Sequence, residues 1–159
     1  MTGPGNELFL DSRHLDVMRL HRKGYCCSQI LALLILAEQG KSDPDLVRAM
    51  AGLCDGIGGS GDLCGTLAGA VCLLGLCAGK GSDEEAADER LALMLSELTE
   101  WFRERTDGPF GGMRCDDILA KSPDKRACIG LVADTYDQVR EILKAYGLWP
   151  KATTPKKKT

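Results

Sequence analysis

Sulfur dominates the chemistry this sequence can offer. The chain carries eight cysteines, at positions 26, 27, 54, 64, 72, 77, 115 and 128. A thiolate can ligate metal, attack a disulfide or pass electrons, whereas a neutral thiol packs as a small apolar group. Position on a helix separates these roles. Free N–H groups and the helix dipole favour negative charge at a helix start, not in its later turns. The predicted helices place Cys27, Cys64 and Cys115 in first turns and Cys128 one turn into its helix. Cys72 and Cys77 fall in the middle and late turns of an apolar helix, and Cys54 falls at a helix C-terminal end. These three read as core residues. Cys26 and Cys27 are adjacent and point about 100° apart. The apolar stripe of their helix selects Cys27 for any shared site and leaves Cys26 as a spare. Cys64 and Cys72 stand about 12 Å apart along one helix, too far for a disulfide. No Cys-x-x-Cys pair occurs, so the zinc-ribbon, thioredoxin and bacterial-ferredoxin signatures are missing.

The elements that must position these cysteines are all helical. Asp55-Gly56-Ile57-Gly58-Gly59-Ser60-Gly61 is a glycine-rich loop that feeds Cys64 and then an apolar helix. Gly65 and Gly69 share one face of that helix, so a neighbour can pack there at close range. An amphipathic helix is predicted over 7–23, with Leu8, Leu15, Val17, Met18 and Leu20 inward. A second opens at Tyr25-Cys26-Cys27-Ser28-Gln29 and runs to about Gln39, with Cys27, Ile30, Leu31 and Leu34 on one stripe. Ser42-Asp43-Pro44 starts a third, which stops near Cys54. After the apolar helix of 63–79, Ser82 and Glu85 resemble a capping box, and a fifth helix is predicted over about 83–106. Gly108-Pro109-Phe110-Gly111-Gly112 is expected to break the chain. A short helix follows from Cys115 to about Lys121, and a last one from Ser122-Pro123 to Tyr146. The expected fold is therefore an all-α, single-domain bundle of about six or seven helices over 1–150. The buried Gly/Cys-rich helix is central, and a disordered basic tail covers 151–159.

Composition narrows the function classes. The chain has 159 residues, 44% of them apolar and only 5% aromatic, enough for one aliphatic core. A net charge of −3 argues against a nucleic-acid surface. The uncharged stretch 63–79 carries four glycines and three cysteines and reads as a buried helix rather than a membrane span. No secretory signal is visible, so a cytoplasmic location is expected. His14 and His21 read as surface histidines. The glycine loop follows a helix rather than a strand, which argues against nucleotide binding.

Gly24-Tyr25-Cys26-Cys27-Ser28-Gln29, Cys64-Gly65-Thr66-Leu67-Ala68-Gly69, Cys115 and Cys128 together resemble the C_GCAxxG_C_C family, described as redox-active. The resemblance covers roughly residues 20–145. It departs from the family at Thr66, where an alanine is usual, and at Cys26, where a polar residue is usual. Thr66 adds a hydroxyl that can bond a sulfur or cap the helix. The resemblance implies a small helical redox protein and names no reaction. Helix position, the inward stripe and the resemblance agree that Cys27, Cys64, Cys115 and Cys128 converge, while Cys54, Cys72 and Cys77 stand apart. The leading reading is an electron carrier in which these four cysteines hold an iron–sulfur cluster, with the glycine loop offering N–H groups to its sulfides. The alternatives are a metal-free thiol/disulfide redox protein and a zinc-stabilised structural or partner-binding module. A redox partner protein is expected, with neither nucleic acid nor membrane, and a homodimer is an open alternative.

Overall fold

The computed structural model describes residues 11–149. The predicted tail and the first turn of the predicted N-terminal helix lie outside the described residues. Among the described residues seven α-helices form: α1 (Ser12–Arg22), α2 (Cys27–Glu38), α3 (Pro44–Met50), α4 (Gly65–Ala78), α5 (Leu91–Phe110), α6 (Cys115–Lys121) and α7 (Arg126–Ala145). A 3-10 turn, Ala51–Leu53, follows α3. Among the described residues no strand forms; a single antiparallel bridge joins Leu63 and Arg114. The all-α expectation holds. No described helix is long and apolar enough to cross a membrane.

α4 is the centre, because it is apolar on most of its circumference. It packs against α2, α5 and α7. Leu67, Leu73 and Leu74 of α4 meet Ile30, Leu31 and Ile35 of α2, Met94, Leu98 and Phe102 of α5, and Tyr136, Val139 and Leu143 of α7 in one core. Ala32, Leu36, Val47 and Met50 form a smaller cluster between α2 and α3. The glycine face does what its spacing implies. A Cβ on Gly69 would lie 2.9 Å from the Ser28 Cα, and one on Gly65 would lie 2.6 Å from the Leu53 carbonyl oxygen. α4 is not covered all round, however. Cys72 is exposed and Leu76, one turn on, is 39% exposed. The core reading of Cys72 is corrected: it sits on the side that neither α2, α5 nor α7 reaches. Leu15 is likewise exposed rather than inward.

The starts and stops follow local chemistry, with one clear miss. Asp43 caps α3 by accepting from the Leu46 N–H at 3.0 Å, and Pro44 opens the helix. The predicted start of α5 at Asp83 is wrong. Residues 83–90 are not helical, with turns only at 83–84 and 89–90, the Gly81 N–H binds Glu85 Oε2 at 2.7 Å, and α5 begins only at Leu91. Asp83-Glu84-Glu85-Ala86-Ala87-Asp88-Glu89 offers no large apolar side chain to pack, and a short helix without tertiary support is marginal in water. At its other end α5 runs through Pro109, in its last turn, and stops at Gly111, whose φ is +77°. The predicted break therefore lies later than Gly108.

Candidate functional site

Two crossings of the chain bring the first pair of cysteines together. Cys64 is the N-cap of α4, and Cys115 is the first residue of α6. The Cys64 N–H donates to the Met113 carbonyl at 3.0 Å, and the Cys115 N–H donates to the Asp62 carbonyl at 2.7 Å. The loop that enters α4 is thus clamped to the loop that enters α6. Cys27 opens α2, where the Gln29 side chain accepts from the Cys26 N–H at 3.2 Å and donates to the Val47 carbonyl at 3.2 Å. Cys128 lies in the first turn of α7 rather than one turn in. A Ser122–Lys125 turn sets it there, with Ser122 Oγ accepting from the Ala127 N–H.

All four of these thiols line one cavity of about 240 Å³. Val17, Ile30, Leu119, Ile129 and Val132 form its apolar walls, and His21, Asp55 and Lys125 belong to its rim. Burial pushes the Cys27 thiol up to about 12, reinforced by Cys64, while the Ser28 N–H and then the Thr66 hydroxyl bond its sulfur and oppose the rise. Burial, then Cys64 and Cys115, raises Cys128 to about 11, with Lys125 opposing. Cys115 is raised by burial, then by Cys64, Asp55 and Asp116, again against Lys125. Cys64 therefore stands within electrostatic reach of the other three. The low-pKa thiolates expected at helix starts are not found at Cys27, Cys115 or Cys128, because burial and mutual repulsion outweigh the dipole.

This electrostatics has a measurable consequence for the metal-free, reduced protein. An ordinary thiol titrates near 9, whereas Cys27 is held at about 12. Between those values the unfolded chain releases a proton that the folded chain retains, so stability falls as pH rises. Below pH 9 the contribution is fully present. Urea midpoints measured from pH 8 to 11 should fall more steeply for the wild type than for Cys27→Ala. Equal slopes would mean that Cys27 is not held neutral by the fold.

The glycine loop plays a different part from the one its sequence suggests. Asp55, Gly56, Ile57, Gly58 and Gly59 are five successive residues in the left-handed region, with φ between 53° and 82°. Asp55 and Ile57 are not glycines, and each carries a steric cost of about 1–2 kcal/mol there. The N–H groups of Ile57 through Asp62 bond carbonyls within 52–57, so they are not free for sulfides. A Cβ on Gly56 would strike the Asp62 nitrogen at 2.4 Å, which makes glycine the residue that closes the loop. At the rim, Lys125 (φ 62°) reaches Asp55, with Nζ 3.4 Å from Oδ1.

Sequence reasoning missed four participants. Lys125 and Asp55 meet across a separation of 70 residues, and no local pattern signals that. His21, read as a surface histidine, is exposed but belongs to the cavity. Cys26 also lines the cavity, and its sulfur pairs with that of Cys54 at a Cα–Cα separation of 6.1 Å. Cys54 is buried as expected, at 8% exposure, and lies outside the cavity lining, joined to it only through Cys26. Cys77 lies outside this cavity, on α4 near Gln39. Among the described residues no group of three or more His, Cys, Asp or Glu side chains is gathered as a metal-ion site. A zinc ion needs all its ligands about 2.0–2.3 Å from one centre, whereas a cluster spreads its thiolates over several irons. In kind and number the four cavity thiols match a cluster's donor set.

Comparison with known proteins agrees with the chemistry of the site. A family model described as "Putative redox-active protein (C_GCAxxG_C_C)" matches residues 25–142. No curated protein and no solved structure matches the chain. The match takes in every helix start that delivers a cysteine to the cavity, and the chain belongs to the C_GCAxxG_C_C redox-active protein family.

Proposed function

We propose that this protein is a small electron carrier in which Cys27, Cys64, Cys115 and Cys128 hold an iron–sulfur cluster. The observation that supports this most directly is the delivery of four thiols, from the starts of four helices, to one apolar-walled cavity. Cys64 disfavours ionisation of Cys27, Cys115 and Cys128, and Cys115 that of Cys128, so these three need added positive charge before they can all become thiolates. Cluster iron supplies that charge and a one-electron couple. The chain's own groups do the rest. Thr66 bonds the Cys27 sulfur, Lys125 places a cation near Cys115 and Cys128, and the apolar walls limit water. A redox protein as electron partner and a cytoplasmic location belong to the same proposal.

Protein purified without oxygen tests it. Iron and acid-labile sulfide should be present in stoichiometric amount, with a broad visible absorbance that bleaches on reduction. Colourless protein with stoichiometric zinc would replace this reading with a structural zinc site. Colourless, metal-free protein whose four cavity thiols oxidise reversibly in pairs would replace it with thiol/disulfide chemistry.

A further inference from the structure

Cys26 and Cys54 lie outside the four-cysteine set, yet their sulfurs pair beside it. Their Cα separation of 6.1 Å falls within the usual disulfide range of about 4.4–6.8 Å. The two differ sharply in access. Cys26 is half-buried and lines the cavity, whereas Cys54 is only 8% exposed and does not. Ser28, fully buried, serves both. Its hydroxyl donates to the Met50 carbonyl at 2.7 Å, which leaves its lone pairs facing sulfur: Cys54 Sγ at 3.0 Å and Cys26 Sγ at 3.6 Å. When the pair is open, the buried Cys54 thiol therefore has an acceptor. A purely structural disulfide would need no such provision, and an unpartnered buried polar group is costly. In the reducing compartment proposed above, a disulfide is more often an exchanging one than a permanent staple.

We propose that Cys26 and Cys54 form a second redox centre, a dithiol/disulfide couple that exchanges with a small thiol entering the cavity at Cys26. The thiol, ionised by loss of its proton to solvent, attacks the Cys26 sulfur. The Cys26–Cys54 bond breaks, and Cys54 leaves with the electron pair, takes up a proton and donates to Ser28 Oγ. A second thiol molecule then attacks the sulfur that the first one brought. It releases an external disulfide and leaves Cys26 as a thiol. Two external thiols are oxidised to one disulfide, and one protein disulfide is reduced to two thiols, with two electrons and two protons transferred. Accessible Cys26 is the exchanging sulfur, and buried Cys54 resolves it.

The test uses the full chain and does not depend on its iron content. Alkylation and peptide mapping of the denatured wild type, before and after incubation with reduced glutathione, should show Cys26–Cys54 oxidised and then both residues as thiols. With glutathione disulfide, Cys54→Ser should accumulate one adduct on Cys26, and Cys26→Ser should form none on Cys54. A wild-type pair that stays closed in reduced glutathione would mark the disulfide as structural and overturn the proposal. An adduct on Cys54 in Cys26→Ser would overturn the assigned order of attack. The wild-type arm requires no variant to fold, and its outcome is the same whether or not the four-cysteine site holds iron.

Discussion

Gly69→Leu should lower the melting temperature by roughly 10 °C or more, because a loss of several kcal/mol is expected in a chain of this size. The contact geometry carries the estimate. A Cβ at Gly69 would sit 2.9 Å from the Ser28 Cα, 3.0 Å from the Ser28 Cβ and 3.0 Å from the Leu31 Cδ1. Leu31 can rotate, but the Ser28 backbone cannot yield unless α2 itself moves. Cores resist such displacement, since they are packed to crystal-like density. The remaining atoms of leucine would deepen the clash. α2 also begins with Cys27, so the same shift should disturb the site. Gly75 supplies the control on the same helix, because a Cβ there meets nothing within 4 Å. Gly75→Ala should be neutral or stabilising by about 0.5–1 kcal/mol through helix propensity. Thermal melts of the two variants against wild type decide the matter. An unchanged melting temperature for Gly69→Leu would show that α2 and α4 do not meet at that face.

Cys64→Ser should abolish iron and sulfide binding, whereas Cys72→Ser and Cys77→Ser should leave both at the wild-type level. Cys64 has the strongest claim because it lies within electrostatic reach of Cys27, Cys115 and Cys128 alike. Its placement is also held by its N–H, which donates to the Met113 carbonyl at 3.0 Å. A serine oxygen is a harder and less easily ionised donor than sulfur, so one substitution removes a ligand without changing shape much. Cys72 is exposed on the uncovered side of α4, and Cys77 lies outside the cavity. Anaerobic iron and sulfide analysis of each variant, with circular dichroism to verify folding, provides the measurement. Equal retention in Cys64→Ser and Cys72→Ser would remove the four-cysteine cluster from consideration.

Much of the molecule was legible because helices are local objects. Ile30, Leu31 and Leu34 repeat at helical spacing and are buried together, and Asp43-Pro44 and Gly111 mark ends where the backbone chemistry requires them. The same locality made the helix-start cysteines and the Gly65/Gly69 face readable, since spacing alone decides which residues share a turn. Whether a stretch has something to pack against is not local. The acidic run of 83–90 has the composition of a helix, but it stays non-helical because no large apolar side chain ties it to the core. Thiol acidity also escaped the sequence. Helix position predicts a lowered pKa, and only the assembled cavity revealed that burial and neighbouring sulfur reverse the sign.

By itself the sequence determined the all-helical class, the central glycine-faced helix and the identity of the four cysteines that open helices, because each rests on contacts within a few residues. The tertiary structure alone decided that Cys26 joins the other four cysteines at the cavity wall, that Cys26 meets Cys54 across 28 residues, and that Asp55 and Lys125 face each other at the rim. Those pairings depend on how α2, α4, α6 and α7 are docked. Docking is set by the whole core, in which a single missing Cβ at Gly65 or Gly69 brings backbones together. No periodicity within one segment carries that information.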